Sequence, residues 1–163
     1  MPFPAPAPHA GPLHGWQLQW SRLEQLDTGT LYQILQARAA VFVVEQQCAY
    51  ADIDGRDHQA WHLQVRHGGE LAAYLRLLDP GAGYAEPAIG RVLVLPPFRG
   101  LQLGRTLMQE GLDFAALHYP QQAIRIGAQH HLRDFYASLG FQADGEPYDE
   151  DGIPHLEMCY RPD

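Results

Sequence analysis

The segment from residue 89 to residue 118 constrains the fold more than any other part of the chain. Residues 89–95 form an apolar run with the length of a buried strand, and Pro96-Pro97 ends it because proline cannot donate to a β-ladder. Apolar residues at helical spacing follow over residues 103–118. A strand that leads through a short turn into a helix predicts a mixed α/β domain.

The remaining periodicity adds strands and helices on both sides of this segment. Trp16, Leu18 and Trp20 alternate with glutamines, which is typical of a half-buried strand, and Asp27 with the threonines after it offers N-cap oxygens for a helix. The predicted strands are 16–20, 61–65, 71–78, 89–95, 124–128 and two strands flanking Asp151-Gly152, and the predicted helices are 31–43, 103–118 and 130–139.

Proline content sets the predicted domain boundary. Five of the thirteen prolines lie within residues 1–12, which predicts a disordered, extended arm over residues 1–15. A chain of 163 residues is otherwise expected to form one domain, here residues 16–163.

Charge and cysteine content limit the function classes. A net charge of −8 argues against nucleic-acid binding, which needs a basic surface, and favours small neutral or cationic partners. Cys48 and Cys159 are too few for a disulfide framework, and no apolar run reaches the roughly 18 residues of a membrane span. With no secretory leader pattern either, we expect a cytoplasmic protein with no membrane partner.

The turn between the central strand and helix has the character of an anion site. Arg99, Gly100 and Gly104 lie where backbone N–H groups at a helix start point outward, and glycine lets a phosphate approach the backbone. An ordinary capped loop is the alternative. The sequence contains neither G-x-G-x-x-G nor a P-loop motif, so a dinucleotide or P-loop site lacks support.

These residues resemble the GCN5-related N-acetyltransferases. Arg99 and Gly104 match the family's pyrophosphate loop, Gln102 stands where the family usually has glycine, and residues 135–141 match its F-Y-x-x-x-G-F signature. Residues 41–46, 52–55 and 150–155 narrow the resemblance to the ElaA-type branch, over roughly residues 16–160.

The resemblance implies a mostly antiparallel sheet of about seven strands with flanking helices, in which the strands 89–95 and 124–128 splay apart. Acetyl-CoA, the implied co-substrate, would lie between them as an added pseudo-strand. A backbone N–H there would polarise the thioester carbonyl. The residues implied to bind the cofactor are Val92, Leu93, Val94, Arg99, Gly100, Leu101, Gln102, Leu103, Gly104 and Arg105.

The implied activity is acetyl transfer to a primary amine within a ternary complex. The amine must lose a proton before it attacks, and Glu45 and His62 are the candidate bases. The alternatives are an ion-paired Glu45 and a structural His62. Tyr136 would protonate the departing thiolate or donate a hydrogen bond to it; its alternative is a core aromatic on the helical stripe.

Three acidic residues mark the predicted acceptor site. Asp52, Asp54 and Asp57 lie in a loop where they would attract a cationic amine, although a solvated acidic surface is the alternative. Their spacing does not fit a calcium loop, because Leu63 stands where the terminal glutamate belongs. No metal is therefore expected.

Two other functions stay open at this stage. Arg38, Val41-Phe42 and the acidic loop loosely resemble acyl-homoserine lactone synthases, which share the fold. A non-catalytic CoA-binding regulatory module is the second alternative, and a homodimer is left open.

Overall fold

The computed structural model describes residues 15–163 as a twisted sheet flanked by helices. The strands are β1 (Trp16–Arg22), β2 (Ala60–His67), β3 (Glu70–Leu78), β4 (Ala88–Val94), β5 (Ile124–Gln129), β6 (Gln142–Ala143), β7 (Tyr148–Glu150) and β8 (Ile153–Tyr160). The α-helices are α1 (Thr28–Arg38), α2 (Leu103–His118) and α3 (Arg133–Ser138).

The sheet is antiparallel except at its centre. Its order is β1-β2-β3-β4-β5-β8-β6, and β7 pairs with β8. β4 and β5 are parallel neighbours whose register is limited to the pair Ala88 and Arg125. The two strands therefore diverge beyond that pair, and the divergence opens the sheet.

Helices cover both faces of the sheet. Leu107 and Met108 of α2 lie in a large buried cluster with Leu75 of β3 and Ile89 of β4. Ile34 of α1 lies in a second cluster on the opposite face, with Tyr74 and Leu93 among its members. Burial on both faces explains why β3 and β4 read as nearly continuous apolar runs.

Most predicted elements are confirmed. The Asp27 side chain caps α1 by accepting from the Thr30 N–H at 2.7 Å, and Gly140 ends the third helical segment with φ of +100°. Both residues of the Asp151-Gly152 turn have positive φ, as a tight hairpin requires. The predicted arm falls almost wholly outside the described residues, so that boundary stays a prediction.

Three features differ from the sequence-based expectation. The sheet has eight strands, because the two-residue β6 adds an edge strand to the seven predicted. The predicted third helix begins with a 3₁₀ turn at His130–Leu132 before α3. The first helix continues after α1 as a π-helical segment, Ala39–Glu45, which we call the π turn.

No helix within residues 15–163 has both the length and the apolar character needed to cross a membrane.

Candidate active site

The divergence of β4 and β5 opens a cavity of about 920 Å³. Its walls come from β4, β5, the π turn, the loop between β3 and β4, and the β7–β8 hairpin. The cavity follows β4 along its whole length, from Ala88 at the start of the strand to Val94 at its end. A ligand as long as the pantetheine arm of CoA can therefore lie beside β4.

A bulge in β4 shapes this wall. Tyr74 pairs with Leu93 whereas Arg76 pairs with Gly90, so β4 carries an extra residue between these positions. Arg91 in this stretch adopts a left-handed conformation with φ of +51°. Val92, Leu93 and Val94, which the resemblance assigns to the cofactor, follow the bulge and line the cavity.

The predicted phosphate loop lies at the end of β4. A second cavity of about 310 Å³ is lined there by Arg99, Gly100, Gln102, Leu103 and Gly104. No side chain caps the first turn of α2, and a Cβ built on Gly104 would meet nothing within 4 Å. The uncapped N–H groups and the open glycine are suited to an anion.

The backbone conformation of Gln102 is one that favours glycine, the residue that the resembling family usually has at this position. Its backbone is left-handed, with φ of +58°, at the N-cap of α2. Glycine reaches that conformation at no steric cost, whereas glutamine does so with some strain.

Two other residues of the predicted loop differ in environment. Leu101 is 54% exposed. The guanidinium of Arg105 donates to the Ser138 hydroxyl at 2.8 Å and lies over the Phe135 ring. Arg105 therefore ties α2 to α3, and its predicted contact with the cofactor stays a prediction.

Glu45 lies at the end of the π turn, in the cavity wall. Both of its carboxylate oxygens accept from the Arg99 guanidinium, at 2.7 and 3.0 Å. These hydrogen bonds lower the pKa of Glu45, which makes it a weaker base. The candidate base Glu45 is thus ion-paired with Arg99, the residue predicted to bind the phosphate.

His62 is buried in β2, 1% exposed, outside the cavity wall. Its Nε2 lies 2.9 Å from the Asp57 carbonyl and its Nδ1 lies 2.6 Å from the Tyr74 hydroxyl. A carbonyl only accepts, so Nε2 carries the hydrogen and Nδ1 accepts from Tyr74. Burial lowers the pKa of this imidazole, and neither nitrogen is left for a substrate proton.

Tyr136 of α3 lines the cavity from the β5 side. Its ring packs edge-on against Phe135 and Phe141, with centroids 5.1 and 6.0 Å away. Burial raises the pKa of the phenol, so the group is protonated at neutral pH. The hydroxyl makes no hydrogen bond within residues 15–163 and is free to donate to a ligand.

The three predicted acceptor-site carboxylates belong to one ion-paired cluster. Arg38, itself 1% exposed, donates to Asp52 at 2.9 Å and to Asp57 at 2.7 Å. Arg76 donates to Asp54 through two nitrogens, each at 2.9 Å. We call this the Arg–Asp cluster; its members are Arg38, Arg76, Arg91, Asp52, Asp54 and Asp57.

The pairing changes what these carboxylates can do. Burial alone would favour neutral Asp54, but the Arg76 hydrogen bonds hold its pKa well below the usual range, so it stays charged. Three carboxylates face three guanidiniums, and the attraction expected for a cationic amine is offset. Of the three, Asp54 alone lines the cavity. Direct contact with an acceptor stays a prediction.

Two cavity residues were missed by sequence reasoning. His155 of β8 holds its Nδ1 2.7 Å from the Ile153 carbonyl, while its Nε2 lies 3.4 Å from a Glu150 oxygen. Arg56 follows Asp54 in the acidic loop. The motif of residues 150–155 was visible in the sequence, but only the hairpin geometry orients the imidazole.

Comparisons with known proteins show the family and the fold. Residues 27–161 match the acetyltransferase (GNAT) domain family. Protein ElaA of Escherichia coli is 42% identical over 146 residues, covering 87% of this chain and 95% of that protein. The crystal structure of ElaA superposes with a TM-score of 0.84 at 40% identity, covering 90% of this chain and 99% of that chain.

An acyl-CoA N-acyltransferase from Pseudomonas aeruginosa superposes with a TM-score of 0.85 at 39% identity, covering 89% of this chain and 99% of that chain. The AHL synthase LasI also superposes, at a TM-score of 0.72, but at 15% identity the likeness shows the fold alone. The fold is that of an acyl-CoA-dependent acyltransferase. The chain belongs to the GCN5-related N-acetyltransferase family and is an ElaA-type member.

Proposed function

We propose that this protein transfers an acetyl group from acetyl-CoA to a primary amine, directly, within a ternary complex in the cytoplasm. One observation carries the proposal. A single cavity is lined by the whole of β4, by Arg99 of the candidate phosphate loop, by Tyr136 and by residues of the loop between β3 and β4. Donor and acceptor can therefore enter from opposite ends and meet beside Tyr136.

Residues of this chain fit the parts of acetyl-CoA. Arg99, Gly100 and Gly104 offer a cation, an open backbone and uncapped N–H groups for the pyrophosphate. The bulge at Arg91 interrupts regular pairing in β4, which leaves backbone groups near Val92 for the pantetheine arm. A donated backbone N–H would polarise the thioester carbonyl.

Proton transfer on the acceptor side is assigned to His155. Because Nδ1 donates to the Ile153 carbonyl, Nε2 is the nitrogen that accepts a proton, and Glu150 beside it stabilises the resulting imidazolium. The ammonium loses one proton to this base, which releases it to solvent, and the neutral amine nitrogen then forms a bond to the carbonyl carbon. The nitrogen gives up its second proton as the amide forms, and that proton replaces the one that Tyr136 gives to the thiolate. The roles predicted for Glu45 and His62 stay predictions, with Glu45 held by Arg99 and His62 outside the cavity.

Proton transfer on the donor side is assigned to Tyr136. When the carbon–sulfur bond breaks, the thiolate leaves with the electron pair and takes the phenolic proton. The raised pKa of Tyr136 keeps this proton available at neutral pH. The products are the N-acetylated amine and free CoA.

The cofactor half of the proposal is tested at Gly104. A Cβ at this position points into open space, so Gly104→Ala and Gly104→Asp should both fold. Gly104→Asp places a carboxylate beside the expected pyrophosphate, and we expect the calorimetric Kd for acetyl-CoA to rise at least about tenfold. The alanine variant should lose much less affinity. Equal affinity in wild type and Gly104→Asp would show that this loop is not the phosphate site.

The transfer half is tested by mass spectrometry of amines incubated with acetyl-CoA. We expect a product 42 Da heavier than the amine, the mass of an added acetyl group, together with stoichiometric free thiol. Acetyl-CoA binding without transfer to any amine in a broad panel would instead support a non-catalytic module.

A further inference from the structure

Arg56 places an uncompensated positive charge at the cavity end remote from the phosphate loop. Leu78 lies near Arg56 and pairs with Ala88 at the start of β4. Arg99 donates to the carbonyl of Val94 at the end of the same strand. A Cβ built on Gly83 would lie 3.2 Å from a terminal nitrogen of Arg56. Arg56 and Arg99 therefore line opposite ends of the same cavity.

The Arg56 guanidinium has no carboxylate partner among residues 15–163. Its own backbone N–H donates to Asp54 at 3.1 Å, which fixes the start of the side chain. Asp54 is instead occupied by Arg76 and Arg91. The charge on Arg56 is left for the cavity.

Arg76 adds a second unused donor in the same wall. Its two terminal nitrogens bind Asp54 and Asp57, but its buried Nε has no hydrogen-bond acceptor within the described part of the chain. The residue is 3% exposed and lines the cavity. An unpaired buried donor is costly, so this wall holds more hydrogen-bond donors than acceptors.

The charge balance of the cavity wall that contains Arg56 predicts the charge of the ligand group bound there. The Arg–Asp cluster contributes three positive and three negative charges, His62 beside it is neutral, and Arg56 raises the sum to one positive charge. Glu150 and Asp151 lie in the opposite wall, on the β7–β8 hairpin. The wall that contains Arg56 therefore favours an anionic group, while the wall formed by the β7–β8 hairpin favours an ammonium.

We infer that the acceptor is an amine that carries a carboxylate, with the carboxylate bound by Arg56 and its amine directed to His155 and Glu150. The inference rests on the proposed acetyl transfer. The expected acceptor is therefore a zwitterion of the amino-acid class and not a purely cationic amine such as a polyamine. A guanidinium fork that binds a carboxylate through two parallel hydrogen bonds gives this selectivity.

The test compares matched acceptors. Each of the common α-amino acids, together with β-alanine and γ-aminobutyrate, is assayed beside its carboxamide and its decarboxylated amine, with a diamine and a triamine included. We expect the best carboxylate-bearing acceptor to exceed its carboxamide at least about tenfold in kcat/KM. High salt should narrow the difference, because it screens an exposed charge.

Variants then locate the carboxylate. Arg56→Gln should raise the KM of the acid about tenfold, leave kcat nearly unchanged and spare the carboxamide, while Arg56→Lys should restore part of the loss. Arg161→Gln removes an equal charge from an exposed residue outside the cavity wall and should change nothing. Carboxamides or polyamines used as well as acids, or an equal loss of acid and carboxamide in Arg56→Gln, would overturn the inference.

A binding measurement separates this inference from the proposed function. If no amine is acetylated, the proposed function fails, and the calorimetric Kd of an N-acetyl amino acid and of its carboxamide at saturating CoA still tests the subsite. Tighter binding of the acid, lost in Arg56→Gln, supports a carboxylate site. No preference between the two ligands overturns it.

Discussion

The Glu45 carboxylate accepts two hydrogen bonds from the Arg99 guanidinium, at 2.7 and 3.0 Å, and so joins the π turn to the phosphate loop. Both side chains are 43% exposed, so the pair is open to competition from water, salt and ligand. A bound pyrophosphate would compete with Glu45 for the same cation. If Arg99 binds the pyrophosphate as predicted, ion pairing by Glu45 weakens that binding.

Removing this competitor should tighten cofactor binding. We expect Glu45→Gln to lower the Kd for acetyl-CoA by about two- to fivefold at low salt, which is the range for exposed ion pairs. Titration calorimetry at two salt concentrations measures the change, and Glu146→Gln, an exposed residue outside the cavity, is the control. A 10²-fold loss of kcat with unchanged affinity would instead support the base role predicted for Glu45.

The base assigned to His155 should act on turnover and not on cofactor binding. We expect His155→Gln to lower kcat by roughly 10²-fold and to leave the calorimetric Kd of acetyl-CoA nearly unchanged. Glu150→Gln removes the carboxylate beside Nε2 and should lower kcat by a smaller factor. Wild-type single-turnover rates in His155→Gln would assign the base elsewhere.

The left-handed backbone of Gln102 predicts a stabilising substitution. Glycine removes a steric cost of about 1–2 kcal/mol, while its greater freedom in the unfolded chain costs about 0.4–1 kcal/mol, so Gln102→Gly should raise the free energy of unfolding by up to about 1.6 kcal/mol. Gln121→Gly, at a second glutamine with φ of +66°, is the matched control outside the cavity. Urea denaturation measures the free energy of unfolding of both variants.

Acetyl-CoA affinity separates two explanations of Gln102. If the position needs only its backbone conformation, the glycine variant should bind acetyl-CoA within about threefold of the wild type. A loss above tenfold in Gln102→Gly alone would show that the amide side chain contacts the cofactor.

Buried His62 predicts a pH dependence of stability. Burial lowers its pKa in the folded state, nearby Arg38 and Arg76 add to the shift, and the Asp57 carbonyl opposes it only in part, while the Tyr74 hydroxyl donates to the neutral ring. The unfolded chain therefore binds more protons near pH 6.5 and below. The stabilisation is complete above about pH 6.5 and is lost as pH falls toward the lowered folded-state pKa.

A substitution isolates this titration. We expect the urea midpoint of the wild type to fall between pH 7.5 and pH 5, and the fall to be smaller in His62→Gln, whose amide does not titrate. Parallel slopes in the two proteins would mean that His62 does not carry the effect.

The parts of the site that sequence predicted are those determined by neighbouring residues. A proline stop, glycines and helical spacing are local signals, and they predicted α2 and the turn before it, whose role as a phosphate loop stays a prediction. Tyr136 was predicted because the helical stripe and the F-Y-x-x-x-G-F signature mark the same residue; the residue lines the cavity, and its catalytic role stays a prediction.

The parts that sequence missed depend on residues far apart in the chain. Asp54 was predicted to face the acceptor, but its partner Arg76 is 22 residues away and reaches it only because β3 packs beside the acidic loop. The left-handed φ of Arg91 likewise comes from a register shift against β3, since arginine has no preference for that conformation. Both features depend on which segments lie beside each other in the sheet, and the hydrophobic periodicity of the sequence carries no information about that.

The hydroxyl of Tyr136 gives the most direct test of the chemistry. Because it makes no hydrogen bond within residues 15–163, Tyr136→Phe should leave the melting temperature and the Kd of acetyl-CoA nearly unchanged. As a general acid, the hydroxyl acts only when the thiolate departs, so its removal should lower kcat by roughly 10²-fold.

Tyr160→Phe is the matched control for this variant. Both rings pack against Phe141, with centroids 6.0 Å away for Tyr136 and 5.8 Å for Tyr160, but only Tyr136 lines the cavity. A loss of about tenfold in Tyr136→Phe would fit a hydrogen bond to the thiolate, which is a fair leaving group unaided. Burial raises the pKa of Tyr136, so the wild-type rate should not fall through loss of this proton at neutral pH. Full activity in Tyr136→Phe, with chemistry shown to limit the rate, would leave the residue a packing role alone.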